Sequence, residues 1–72
     1  MQLEVSIHWD AEATVWIAVN EEIGLILESG SLDALLERVK IAIVELISIQ
    51  SQPHDAVVSF EMQRTEVVHG GI

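Results

Sequence analysis

Cysteine and tyrosine are absent from this 72-residue sequence, and there is one proline and one phenylalanine. Without cysteine no disulfide can form and no thiolate zinc site can be built. That fits a reducing compartment and gives the expectation of a cytoplasmic protein. Basic residues are also scarce. Arg38, Lys40 and Arg64 stand against twelve Asp and Glu, for a net charge of −9. A field of that sign repels phosphate backbones and anionic lipid, so direct binding to nucleic acid or membrane is not expected. Two readings of the acidity stay open: it keeps a small apolar protein in solution, or it attracts a basic protein partner. Long hydrophobic runs are missing too. Ile41-Ala42-Ile43-Val44 stops at Glu45, far short of a membrane span. Met1-Gln2-Leu3-Glu4 has neither the basic start nor the apolar core of a signal peptide.

What is present is apolar: 50% of the residues are hydrophobic, ample for folding. The length allows one domain, 1–72, with residues 69–72 as a frayed tail. A chain this short buries roughly 60% of the surface its unfolded form exposes, so its core alone is marginal. With disulfides excluded, self-association is the expected remedy, most simply as a dimer.

Leu3, Val5, Ile7 and Trp9 alternate with Glu4, Ser6 and His8, the period of a half-buried strand. Asp10 to Thr14 breaks the pattern as a hairpin connection. A second strand follows, with Val15, Ile17 and Val19 on one face and Trp16 and Ala18 on the other. Asn20-Glu21-Glu22 turns the chain, helped by the backbone freedom of Gly24. Leu25 to Glu28 reads as a short third strand. After the breaker Ser29-Gly30-Ser31 the period changes. Leu32, Leu35, Leu36, Val39, Ile43, Leu46 and Ile47 form a helical stripe. Ser31 is placed to cap this helix, and Asp33 suits its positive end. Gln50 to Pro53 ends it. Val58, Phe60 and Met62 alternate with Ser59, Glu61 and Gln63 in a fourth strand within Ala56 to Val68. The expected fold is a two-layer α+β domain of order β-β-β-α-β, a four-stranded sheet with one helix packed on one face.

Candidate chemistry is thin. Glu4, Glu28 and Glu61 fall on the sheet face away from the helix, where they are either a divalent-metal site of a nuclease remnant or a solvated polar face. His8, His54 and His69 lack compact ligand spacing and read as surface residues. No Gly-x-Ser-x-Gly elbow and no glycine-rich phosphate loop occurs. No catalytic, metal or cofactor site is therefore assigned, and the chain is not expected to be an enzyme. Interface candidates are clearer. Trp16, with parity opposite to Val15 and Ile17, is placed on the open face, with Ala18 and Ile26 beside it. It is either an interface anchor or a ring half covered by the hairpin. On the helix, Ile41 and Val44 point away from the core stripe at ~100° per residue. Such a second apolar face on a surface helix usually needs a partner.

Several segments carry a resemblance. They are Leu3 to Ala13 followed by Val15-Trp16-Ile17-Ala18, then Ile23-Gly24-Leu25, Gly30-Ser31-Leu32-Asp33-Ala34-Leu35 and Arg64-Thr65-Glu66-Val67-Val68. Together they resemble the N-terminal domain of HicB-like antitoxins, especially a related subfamily described as a domain of unknown function (DUF). The likeness runs from Leu3 to about Val68. It implies a degenerate ribonuclease H-like core without nuclease activity, dimers, and a partner of HicA type, a small basic RNA-cleaving toxin that the antitoxin masks. The sequence departs from the family at Asn20 to Leu25, where the usual two prolines are missing. No DNA-binding segment follows in this sequence, so operator binding is not expected.

Overall fold

The computed structural model describes residues 1–49, 56–65 and 68–71. The elements run β1 (Gln2–Asp10), β2 (Val15–Asn20), β3 (Leu25–Ser29), α1 (Leu32–Ile49) and β4 (Val57–Gln63). This is the expected β-β-β-α-β order. The four strands form one sheet in the order β3-β2-β1-β4. β1 pairs antiparallel with β2, and β2 antiparallel with β3. β4 returns after the helix to lie parallel to β1, with Leu3 opposite Val58, Val5 opposite Phe60 and Ile7 opposite Met62. It ends at Gln63, short of the expected reach to Val68. The proposed helix stop at Gln50 to Pro53, together with His54, lies outside the described residues.

The helix lies over β2 and β3. Its stripe behaves as the spacing predicts: Leu35, Val39, Ile43 and Ile47 are buried, and Leu32, Leu36 and Leu46 pack at the margin. Against it stand Leu3, Val5, Ile7, Ala18, Ile23 and Leu25 from the sheet side. Each leucine, isoleucine or valine side chain among them, fully removed from water, contributes ~1.5–3 kcal/mol before entropy is set against it. Ser31 caps the helix: its Oγ accepts the Ala34 N–H at 3.3 Å, and its carbonyl accepts the Leu35 N–H at 3.0 Å.

Two turns fix the strand register. In the first, Asp10 Oδ1 accepts the N–H groups of Glu12 and Ala13 at 3.0 and 3.2 Å. Thr14 completes the loop at φ 53°, a left-handed angle that costs a β-branched residue energy. In the second, Gly24 supplies φ 72°, as its position in the sequence suggests. Asn20 ties this turn into the sheet. Its Nδ2 donates to the Glu4 carbonyl at 2.9 Å, and its Oδ1 accepts the Ile23 N–H at 3.0 Å.

The register overturns one expectation. The four-residue loop sets Trp16 opposite Trp9, and Ala18 opposite Ile7. Trp16 and Ala18 therefore face the helix side, not the open side. Ala18 is fully buried, and Trp16 packs half-buried against the core. Val15, Ile17 and Val19 take the open face instead.

Candidate interaction surfaces

The face of the sheet turned away from the helix has a definite chemical layout. Register places Ile26 beside Val19, and Val19 beside Ser6, which pairs with Glu61. In the adjoining same-face row Glu28 pairs with Ile17, Ile17 with His8, and His8 with Gln63. The β2–β3 half of this face is thus apolar, carrying Val15, Ile17, Val19 and Ile26. The β1–β4 half is mainly polar, carrying Glu4, Ser6, His8, Ser59, Glu61 and Gln63, with exposed Val57 as an apolar exception at the start of β4. Ile26 is 74% exposed, and Ile17, Val19 and Val15 are half-buried. Carboxylates stand at both margins, Glu28 on β3 and Glu4 with Glu61 on β1 and β4.

Those carboxylates do not form the metal triad that was one reading of them. Three strand spacings of ~4.8 Å separate β3 from β4, so Glu28 is remote from Glu61. Among the described residues no group of three or more Asp, Glu or His is placed to hold a metal ion. His8 sits in the open face and His69 in the exposed tail. Glu4 and Glu61 do meet, as diagonal neighbours across the β1–β4 ladder. A hydrogen bond between their carboxyl groups raises the Glu61 pKa above its ordinary value. Repulsion from the Glu4 charge adds to the shift, and desolvation contributes least. The pair suits a shared proton or a cationic neighbour.

Trp16 stands on the face opposite to the one expected of it. Its ring centroid lies 5.2 Å from that of Trp9, with the planes tilted by 59°. Arg64 extends over both rings, its Cζ 5.3 Å from the Trp9 centroid and 5.8 Å from that of Trp16. Continued one residue past Gln63, the β1–β4 register sets Arg64 beside Trp9. The signal was in the sequence as two inward-facing tryptophans flanking a short hairpin, but it needs the β2 parity that the loop length decides.

The helix flank is as anticipated: Ile41 is 62% exposed and Val44 59%. Lys40, Ile41, Val44 and Glu45 line a shallow hollow of about 470 Å³. Lys40 pairs with Glu37 at 3.0 Å, one helical turn away. Arg38 Nη1 donates to the Glu28 carbonyl at 3.0 Å and fastens the helix to β3. Among the described residues no helix is long and apolar enough to cross a membrane.

A mixed four-stranded sheet with one helix packed on one face defines a small α+β domain. The chain belongs to DUF1902, a family of domains of unknown function, whose match covers residues 2–68. It is also similar to a solved structure, the crystal structure of a hypothetical protein from the extremely thermophilic bacterium Thermus thermophilus. The TM-score is 0.70 and the identity 27%, over 97% of this chain and 100% of that one. No curated protein matches it.

Proposed function

We propose that this domain is a non-enzymatic protein-binding module of the HicB antitoxin type, which masks a small basic RNA-cleaving protein. The observation that carries this reading is the uncovered sheet face, an apolar strip of Ile17, Val19 and Ile26 bordered by Glu28 on one side and Glu4 and Glu61 on the other. An apolar centre within a polar, charged rim is the usual make-up of a protein interface. The sign of the rim selects a cationic partner and speeds its capture. The three cations do little to offset it. Arg38 is engaged with the Glu28 carbonyl of β3, Lys40 with Glu37 on the helix, and Arg64 lies on the two indoles. The exposed carboxylates of Glu12, Glu21, Glu22, Asp33 and Glu45 extend the negative field around the molecule.

The test is RNA cleavage by a HicA-type toxin from the same organism, with increasing amounts of this protein. The expected outcome is stoichiometric inhibition that weakens in Ile26→Lys. Full toxin activity at a several-fold excess of the protein sinks the proposal.

A second reading concerns assembly, and the exposure of Ile41 and Val44 favours it. Two copies meet through this helix flank as a dimer, which leaves both sheet faces clear for partners. Apolar side chains this open on a helix gain from a second copy what the small core cannot supply.

A further inference from the structure

We propose that the notch between Trp9 and Trp16 is the seat for an arginine side chain of a basic protein partner, and that Arg64 occupies this seat until the partner arrives. This rests on the reading above that the partner is basic. The geometry is that of a cation site. The two indoles are tilted rather than stacked flat, so they open a wedge. The Arg64 guanidinium lies within ~6 Å of both centroids, the range in which a ring quadrupole attracts a cation. Both rings are half-buried, and Trp16 packs against the core. Arg64 reaches them from just beyond the end of β4, where it is exposed and the ladder pairing has ended. A guanidinium suits the wedge better than an ammonium, because it is flat, stacks on ring faces and gives up water more readily. Tryptophan and arginine are also the side chains most often found to dominate interfaces.

Trp9 and Trp16 are the only tryptophans in the sequence, so indole emission reports on the seat directly. The experiment titrates the intact protein and Arg64→Gln with oligo-arginine and oligo-lysine peptides of equal length. The arginine peptide is expected to change the emission at lower concentration than the lysine peptide. Arg64→Gln is expected to tighten arginine binding about two- to five-fold by emptying the seat. Lysine binding should change less, since the lost charge acts on both peptides alike. Trp9→Leu, with Trp16 left as reporter, is expected to abolish the preference for arginine. Silent emission, or equal gains for both peptides in Arg64→Gln, overturns the proposal. So does a fall in Tm without a change in peptide affinity, which would make Arg64 an internal clasp alone. The titration uses no toxin, so its failure is separable from failure of the masking role. A protein that binds arginine at the indoles but spares the toxin keeps the seat and loses the role. Unaltered toxin inhibition by Arg64→Gln and Trp9→Leu keeps the role and loses the seat.

Discussion

Asn20 is the one buried polar side chain among the described residues, and it bonds two separate backbone groups. Asn20→Ala leaves the Glu4 carbonyl and the Ile23 N–H without that partner. It should lower the unfolding free energy by about 1–3 kcal/mol, measurable by urea denaturation. Glu61 offers a test with the opposite character. Its pKa is raised in the folded state, mainly by the carboxyl hydrogen bond to Glu4. The folded protein therefore holds this proton more tightly than the unfolded chain. The contribution to stability is full below the unfolded pKa and is lost as pH rises through the folded one. Glu61→Gln should flatten that part of the Tm-against-pH curve and raise Tm at neutral pH. A curve that keeps the wild-type slope contradicts the pairing. Gly24 and Ser31 were legible in the sequence, because one supplies a left-handed angle and the other an N-cap, and both needs are local. The partners of Asn20 were not legible, since its bond to Glu4 spans two strands.

At the level of elements, α1 was legible because only one of its faces could be the core: the stripe from Leu32 to Ile47 has a single continuation. β2 was not. Its residues are apolar at both parities, Val15, Ile17 and Val19 against Trp16 and Ala18, so alternation alone does not say which set points inward. The four-residue hairpin decides it by aligning Trp16 with Trp9. The same decision strips the open face of its expected tryptophan and leaves Ile26 beside Val19. The exposed flank of α1 yields a prediction about assembly. Ile41→Lys combined with Val44→Lys should leave the unfolding free energy within about 0.5 kcal/mol at the monomer level, as surface changes generally do. The same pair should reduce the mass in solution from a dimer to the 8.0 kDa monomer. Light scattering decides this, and a wild-type protein that is already monomeric at high micromolar concentration counts against the helix-flank interface.

For the whole molecule the dominant property is a net charge of −9. Any basic partner held at the acidic sheet face should be captured strongly at low ionic strength and shed as salt rises. At 1 M the screening length falls to ~3 Å. Retention that is indifferent to salt would assign the contact to the apolar strip instead. The fold was readable at this scale because the order of elements and their periods leave few two-layer arrangements. The face that carries Glu4, Glu28 and Glu61 was readable from strand parity, but their spacing across the sheet was not, since it depends on which strands are neighbours, and β1 and β4 come from opposite ends of the chain. That placement also governs how the protein is made. β1 is synthesised first, yet it is an inner strand whose second edge is filled only by the last strand. Until β4 emerges, an apolar ribbon waits with half its backbone groups unmatched. The slowest contact to form is therefore the one that seals the sheet. A chain cut short before Val57 would carry that open edge permanently, as a template for pairing with its neighbours.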